Sequence, residues 1–212
     1  MLNSYLDRCP LVAILRGIEP RQCIRVADVL LEAGFTTLEV PLNSPDALPS
    51  IRLLKDHFGH SALIGAGTVI RVEQVMAVYQ AGARLVFSPN CDIDVIKTAK
   101  TLDMVSIPGC ATPTEAFAAI YAGADMLKLF PAQLLTPAVV KSMAEVLPSI
   151  GLLGVGGISA DNMKDYVDAG CTGFGLGGAL FKPGKSIGNI KTDANRLMQA
   201  FLAAKEVECE AV

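Results

Sequence analysis

The pattern of hydrophobic and polar positions alternates between two periods along the chain. Short apolar runs typical of buried strands are followed by longer segments in which apolar residues recur every three or four positions, as on one face of a helix. Each run with its following segment takes only about 25 residues, the length of one β/α unit. Eight runs fit a strand: Leu11–Gly17, Thr37–Leu42, Ala62–Val69, Arg84–Pro89, Met104–Gly109, Met126–Pro131, Leu152–Ile158 and Gly173–Leu180.

The helical segments between these runs have well-marked ends. The clearest amphipathic segments are Arg21–Ala33, Arg71–Ala81, Thr114–Ala122 and Ala160–Ala169. Prolines that favour the first turn of a helix precede or open several helical segments, at Pro20, Pro45, Pro113 and Pro137. Ala-Gly pairs end four of them shortly before a strand, where glycine tolerates a left-handed turn, at Gly34, Gly82, Gly123 and Gly170.

Eight β/α units without a break in composition predict one domain, a closed (β/α)₈ TIM barrel that spans residues 1–212. A last helix at about residues 187–206 is expected to close the barrel and to leave a frayed tail from Glu206 to Val212. An open flavodoxin-like sheet stays an alternative. It uses about five strands, however, and leaves the other runs unexplained.

Composition narrows the class further. The 212 residues are 51% hydrophobic, enough for one large core, and a net charge of -3 gives no broad positive field for nucleic acid. The six cysteines are scattered without a C-x-x-C pair, which favours reduced thiols over disulfides or a zinc site. Arg8, Pro10 and Arg16 interrupt the first apolar stretch, which is unlike a signal peptide or a membrane span. We therefore expect a cytoplasmic protein without a membrane or nucleic acid partner.

Polar residues late in the strands are the candidate site residues, because active groups in such barrels lie at the carboxyl ends of the strands. A polar side chain at such a position favours the mouth of the barrel over its core. The rule selects Arg16, Glu39, Asn43, Thr68, Pro89, Asn90, Thr112 and Lys128.

Lys128 and Glu39 carry the strongest chemical signal. Lys128 lies inside an apolar strand, where loss of hydration lowers the pKa of its amine and leaves a neutral nucleophile that can attack a ketone. Glu39 lies inside a second apolar strand, where desolvation raises the pKa of its carboxyl toward that of a proton shuttle at neutral pH. Two structural alternatives stay open: a lysine whose head reaches water, and a buried ion pair between the two side chains.

Two glycine pairs predict a phosphate site. Gly156 with Gly157, and Gly177 with Gly178, follow the seventh and eighth runs, where the backbone N–H groups of such barrels bind phosphate oxygens. A phosphorylated substrate is therefore expected. The alternative is that these glycines only allow the strands to turn.

Arg16 and Thr68 are candidates for holding a substrate carboxylate. Arg16 ends an apolar strand with a planar guanidinium suited to two parallel hydrogen bonds, and Thr68 adds a hydroxyl in a glycine-rich turn. A salt bridge at the barrel rim and a helix N-cap are the respective alternatives.

We expect no metal and no nicotinamide cofactor. His57 and His60 have Gly59 between them at a helix end, which is a poor metal site. The Gly65–Gly67 turn lacks the full dinucleotide fingerprint, and Cys110 has no histidine nearby in sequence to activate it.

A series of motifs then resembles a known family over nearly the whole chain. The motifs are AILRG at 13–17, LEVPLNSP at 38–45, IGAGTV at 64–69, SPN at 88–90, PGCATPTEA at 108–116, LKLFPA at 127–132, VGGIS at 155–159 and LGGAL at 176–180. Together they resemble the class I 2-keto-3-deoxy-6-phosphosugar aldolases.

The resemblance implies a role for each matching residue. Lys128 matches the Schiff-base lysine, so no separate cofactor is implied, and Glu39 matches the general acid/base. Arg16 and Thr68 match substrate-binding residues, and the two glycine pairs match the phosphate loops. Relatives often place a serine in the last loop, where this chain has Gly178 and Ala179.

The resemblance also implies a reaction and an assembly. The reaction is cleavage of a phosphorylated 2-keto-3-deoxy sugar acid to pyruvate and glyceraldehyde 3-phosphate, and the assembly is a homotrimer. Asn43 and Val155 differ from the residues typical of gluconate enzymes, which implies the galactonate epimer. The alternatives are the gluconate epimer, a phosphosugar isomerase or epimerase, and a non-catalytic barrel that binds phosphometabolites.

Overall fold

The computed structural model describes residues 4–210, with side chains to residue 206. Its strands are β1 Leu11–Ile14, β2 Thr37–Pro41, β3 Leu63–Gly67, β4 Leu85–Phe87, β5 Val105–Ile107, β6 Gly109–Cys110, β7 Met126–Leu129, β8 Gly151–Val155 and β9 Gly173–Leu176. Its helices are α1 Ser4–Arg8, α2 Pro20–Glu32, α3 Ala47–Phe58, α4 Val72–Gln80, α5 Ile93–Thr101, α6 Pro113–Tyr121, α7 Pro137–Val146, α8 Met163–Asp168 and α9 Ile187–Glu210.

The strands form one parallel sheet that curls into a barrel. Their order is β5-β4-β3-β2-β1-β9-β8-β7-β6, so the two ends of the sheet are consecutive pieces of chain around Pro108. The Asp125 N–H donates to the Ser106 carbonyl at 2.9 Å, and the Lys128 N–H donates to the Pro108 carbonyl at 2.9 Å. These bonds close the ring, so the predicted barrel is confirmed and the open sheet is wrong.

The fifth predicted strand differs from the structure. The run Met104–Gly109 is divided into β5, which pairs with β4, and β6, which pairs with β7. The division falls at Pro108, because proline has no N–H to donate to a neighbouring strand. Eight predicted runs therefore become nine strands within residues 4–210.

Two layers of apolar side chains surround the sheet. Val12, Leu85 and Leu153 belong to a cluster inside the barrel, and a larger cluster fills the space between the strands and the helices. Helix α1, which the sequence pattern did not predict, adds Leu6 to the inner cluster. Because Leu6 lies beside Met126 and Gly151 at the start of β7 and β8, α1 covers the amino ends of the strands.

The predicted helix ends agree closely with the structure. Gly34, Gly82, Gly123 and Gly170 have φ of 98°, 101°, 98° and 108°, the left-handed turn that favours glycine. Several predicted runs extend beyond the observed strands, because their last apolar residues belong to loops at the barrel mouth. The last helix continues to Glu210 instead of ending near 206, and residues 211–212 of the predicted tail lie outside the described chain. No helix within residues 4–210 is long and apolar enough to cross a membrane.

Candidate active site

A cavity of about 290 Å³ lies at the carboxyl ends of β1, β7, β8 and β9. Its lining includes Lys128, Arg16, Val155 and both glycine pairs. A larger cavity of about 710 Å³ lies near the amino ends of β3 and β4, beside Tyr5, His60 and Arg84. It contains none of the predicted site residues, so the smaller cavity is the candidate active site.

Lys128 is buried in β7, with 6% of its surface exposed. Its Nζ lies 4.4 Å from the ring centroid of Phe87 and 4.6 Å from that of Phe130. The pKa of this amine is lowered to about 8, chiefly by burial; the Glu39 carboxylate acts in the opposite direction, and the Arg16 cation adds to the lowering. The alternative of a lysine head extended into bulk water is therefore wrong.

Glu39 is buried in β2, with 2% of its surface exposed. Burial raises the pKa of its carboxyl to about 8, whereas Lys128, Arg16 and a hydrogen bond from the Gly67 backbone act to lower it. The carboxyl packs on Gly67 so closely that a Cβ at that position would overlap it. A glycine is therefore needed at the end of β3 to make room for the acid.

The two groups influence each other electrostatically without forming a direct salt bridge. No distance of 4.0 Å or less joins the Lys128 amine to the Glu39 carboxylate, and Glu39 Oε2 is buried without a hydrogen-bond partner. The alternative of a structural ion pair is therefore wrong. An unpaired buried oxygen is costly unless something else binds it. The Glu39 carboxyl is therefore free to accept or donate a proton.

Arg16 is held by a neighbouring amide. Its Nη1 donates to Asn43 Oδ1 at 2.5 Å, which joins the loops after β1 and β2. No carboxylate among the described residues lies within 4.0 Å of Arg16, so the predicted rim salt bridge is wrong. The side chain is exposed at the mouth and can offer its remaining donors to an anion.

Thr68 follows β3 with an unusual backbone. Its φ is 57°, a left-handed value that is rare for a β-branched residue, and its N–H donates to the Phe87 carbonyl at 3.1 Å. Helix α4 begins at Val72 with Arg71 as its N-cap, so the N-cap alternative for Thr68 is wrong. Backbone strain of this kind is typical of functional sites.

The two glycine pairs border the same cavity, as predicted. Gly156 and Gly157 have φ of 95° and 76°, so the turn itself requires glycine at this pair. Neither Gly177 nor Gly178 has a positive φ, so the need for a turn does not explain the second pair. The second pair instead leaves the backbone open toward the cavity.

Six predicted residues are absent from the lining of this cavity. Glu39, Asn43 and Thr68 are described above, and Pro89, Asn90 and Thr112 make other contacts. Pro89 and Asn90 follow β4 and pack against β6, where the Gly109 N–H donates to the Asn90 carbonyl at 3.3 Å. Thr112 is the N-cap of α6, because its hydroxyl accepts a hydrogen bond from the Glu115 N–H at 3.3 Å. Their substrate-binding roles stay predictions.

Other side chains at the site were missed by sequence reasoning. Phe87 and Phe130 surround the amine, and Gln133 lies directly over the first glycine pair. The two rings look like ordinary core residues in the sequence. Gln133 follows β7 on the mouth side, so the rule that selected polar residues near strand ends could have found it.

A buried amine and a buried carboxyl group within one (β/α)₈ barrel are the kinds of group that enzymes acting on a carbonyl use. Residues 2–199 match the family described as "Aldolase: KDPG and KHG aldolase", and the chain belongs to that family.

Individual relatives agree with this assignment. The 2-dehydro-3-deoxy-6-phosphogalactonate aldolase of Escherichia coli (strain K12) is 42% identical over 202 residues, 95% of this chain and 98% of the relative. The solved "Native KDPGal structure" has a TM-score of 0.93 at 42% identity and covers 94% of this chain and 97% of that one. A Legionella pneumophila KDPG aldolase, solved with pyruvate captured at low pH as a covalent carbinolamine intermediate, has a TM-score of 0.81 at 26% identity, with 96% and 98% covered. These similarities confirm the predicted family.

Proposed function

We propose that the protein is a class I Schiff-base aldolase that cleaves 2-dehydro-3-deoxy-6-phospho-D-galactonate to pyruvate and D-glyceraldehyde 3-phosphate. The observation that carries the proposal is a pair of electrostatically interacting buried groups in one barrel, the Lys128 amine with a lowered pKa and the Glu39 carboxyl with a raised pKa. The substrate is inferred from the E. coli relative, which is named 2-dehydro-3-deoxy-6-phosphogalactonate aldolase.

The reaction begins with attack of the neutral Lys128 amine on the C2 ketone of the substrate. The resulting carbinolamine loses water as Glu39 gives a proton to the departing hydroxyl, and a protonated imine remains. The carbinolamine described for the Legionella relative supports this order of steps. Burial matters here because it keeps part of the amine unprotonated near neutral pH.

Cleavage follows because the protonated imine accepts electrons. Glu39, through a water molecule, removes the proton of the C4 hydroxyl, and the C3–C4 bonding pair moves to C3 and into the imine. Glyceraldehyde 3-phosphate leaves, C3 of the enamine takes up a proton, and water hydrolyses the imine to pyruvate and free Lys128. The iminium nitrogen takes up the electron pair, so we assign no metal or organic cofactor.

The remaining residues position the substrate. Arg16 is assigned to the C1 carboxylate, which its hydrogen bond to Asn43 supports. Thr68 is also assigned to substrate binding, and it follows Gly67, which packs on Glu39. The backbone N–H groups of the two glycine pairs are assigned to the phosphate, which their position in the cavity lining supports. Pro89, Asn90 and Thr112 are assigned more distant contacts outside the cavity lining.

The galactonate preference is assigned to Val155 and Asn43. Val155 lines the cavity and is 3% exposed, so it presents an apolar surface beside Lys128 instead of a hydroxyl. The gluconate epimer is the alternative substrate. The Legionella KDPG aldolase is 26% identical to this chain, compared with 42% for the E. coli galactonate enzyme.

Steady-state cleavage tests the activity. Pyruvate release from both epimers is measured for the wild type, for Lys128→Ala and for the control Lys141→Met, which alters an exposed lysine of α7. We expect wild type and control to agree, faster cleavage of the galactonate epimer, and at least a 1,000-fold loss in Lys128→Ala. Retention of a tenth of the activity by Lys128→Ala would refute the covalent route.

We also propose a homotrimer in the cytoplasm. Exposed apolar side chains on the outer surface, among them Ile70, Met76, Ile93 and Leu134, are available for contacts between subunits. A cytoplasmic location fits the five cysteines of the described chain, which are all unpaired. Light scattering is expected to give about 67 kDa, three times the 22.3 kDa of the chain, and a mass near that of the single chain would refute the trimer.

A further inference from the structure

The loop between β9 and α9 carries a lysine that the mechanism does not use. Lys182 is exposed, and no hydrogen-bond acceptor or acid among the described residues pairs with it. Lys185, three residues later, is fully occupied: its Nζ donates to the Ala179 and Leu180 carbonyls at 3.1 and 2.9 Å and pairs with Asp193 at 2.5 Å. The two lysines of one loop therefore differ sharply in what they contact.

The Lys182 stem crosses a glycine of the candidate phosphate site. A Cβ at Gly178 would lie 3.3 Å from Lys182 Cε, a tight contact, and Gly178 lines the active-site cavity. The amine is one bond beyond Cε, so it can reach the space next to the second glycine pair. Gly178 has no side chain, so the path of the lysine across this residue is open.

The loop itself is anchored on both sides of Lys182. Pro183 packs against Gly17, where a Cβ would lie 2.7 Å from the proline ring, so the absence of a side chain at Gly17 permits that approach. The Leu180 and Phe181 N–H groups both donate to the Gly177 carbonyl at 2.8 Å. With its neighbours fixed in this way, Lys182 is held at the rim of the cavity instead of on a free loop.

The charge of the substrate favours a further cation beside the phosphate. A phosphate monoester carries nearly two negative charges at neutral pH, and backbone N–H groups offer only partial charges against them. The cations that line the cavity in the described chain are Arg16 and Lys128, and the proposed mechanism uses these for the carboxylate and the ketone. The phosphate is therefore left without a cation unless Lys182 supplies one.

We propose that Lys182 binds the phosphate group of the substrate. This inference rests on the proposed function, because it concerns the same substrate. It assigns Lys182 to binding and not to the chemical step, so its loss is expected to raise KM more than it lowers kcat.

The test compares phosphorylated and non-phosphorylated substrate. We measure kcat/KM of the wild type, Lys182→Met, Lys182→Arg and the control Lys97→Met for the 6-phosphate substrate and for its dephosphorylated form. Lys97 is an exposed lysine of α5, across the barrel from β9. The informative quantity is kcat/KM for the phosphorylated substrate divided by kcat/KM for the dephosphorylated one. This ratio should fall by roughly 10- to 100-fold in Lys182→Met, stay within about threefold in Lys182→Arg and be unchanged in the control.

Three results separate the possible failures. A ratio within about twofold of wild type in Lys182→Met overturns the phosphate contact while pyruvate release by the wild type keeps the aldolase proposal. An equal loss for both substrates in Lys182→Met, with an altered thermal unfolding curve, shows a structural role and also overturns it. No pyruvate release by the wild type from either epimer contradicts the proposed function itself.

Discussion

The lowered pKa of Lys128 gives a quantitative prediction for the reactivity of its amine. With a pKa of about 8 instead of the ordinary 10.5, the neutral fraction at pH 7 is about one tenth instead of about 0.03%, a gain of roughly 300-fold. Between pH 6 and pH 8 the neutral fraction is expected to rise by about 50-fold and then to level off. A lysine of ordinary pKa would continue to gain reactivity up to about pH 10.

The assay is competitive labelling of lysines with a small neutral acylating reagent between pH 6 and pH 11, with each site quantified by peptide mass mapping. The exposed Lys97 provides a reference within the same sample. The labelling rate at Lys128 should reach its plateau near pH 9, because almost all of the amine is neutral above its pKa of about 8.

The variant Glu39→Gln sharpens this test. The Glu39 carboxylate favours the ammonium form of Lys128, so its removal should lower the pKa of Lys128 further and move the labelling curve to lower pH. A plateau for wild-type Lys128 only above pH 10, or a shift toward higher pH in Glu39→Gln, would refute the electrostatic reasoning.

Three further predictions concern stability, the position of the acid and substrate binding. Lys128→Met should stabilise the fold by up to about 3 kcal/mol below pH 8, because folding of the variant no longer desolvates a charged amine. This gain in the free energy of unfolding should shrink between pH 8 and pH 10.5, and urea unfolding measures it. Gly67→Ala should lower kcat by at least about 10-fold, since its Cβ overlaps the Glu39 carboxyl. Asn43→Ala should raise KM by about three- to tenfold, because Arg16 loses the amide that holds it.

Each of these predictions has a clear contrary result. Equal or lower stability of Lys128→Met at pH 7 would mean that burial of the amine is not costly. Gly188→Ala is the control for Gly67→Ala, because no atom lies within 4 Å of a Cβ at that position, and similar kinetics in the two variants would remove the steric explanation. An unchanged KM in Asn43→Ala would show that Arg16 does not depend on its partner.

The barrel and its two central groups follow from local sequence patterns. Strand and helix periods are set by which side chains lie on the buried face, and the Ala-Gly pairs mark turns that only glycine adopts easily. Lys128 and Glu39 were recognisable because a charged side chain is unusual inside a buried apolar strand and marks a candidate functional site. A charged residue within an apolar run is visible in the sequence without knowledge of the fold.

Contacts between distant segments could not be predicted in this way. The hydrogen bond from Arg16 to Asn43, the position of Gln133 over the first glycine pair and the path of Lys182 across Gly178 each depend on how loops from different strands meet. The pattern also missed the division of the fifth strand at Pro108, since a run of apolar residues looks continuous whether or not its hydrogen bonds change partner.

The most direct test of the central claim is reductive trapping of pyruvate on the protein. The wild type is incubated with pyruvate and borohydride, and the adduct is located by mass mapping, with Lys128→Ala as the control. We expect a gain of about 72 Da on the Lys128 peptide, the mass of a reduced pyruvate imine, and no gain in the variant. An unmodified Lys128, or the same adduct on another lysine in both proteins, would contradict a Schiff-base mechanism at this residue.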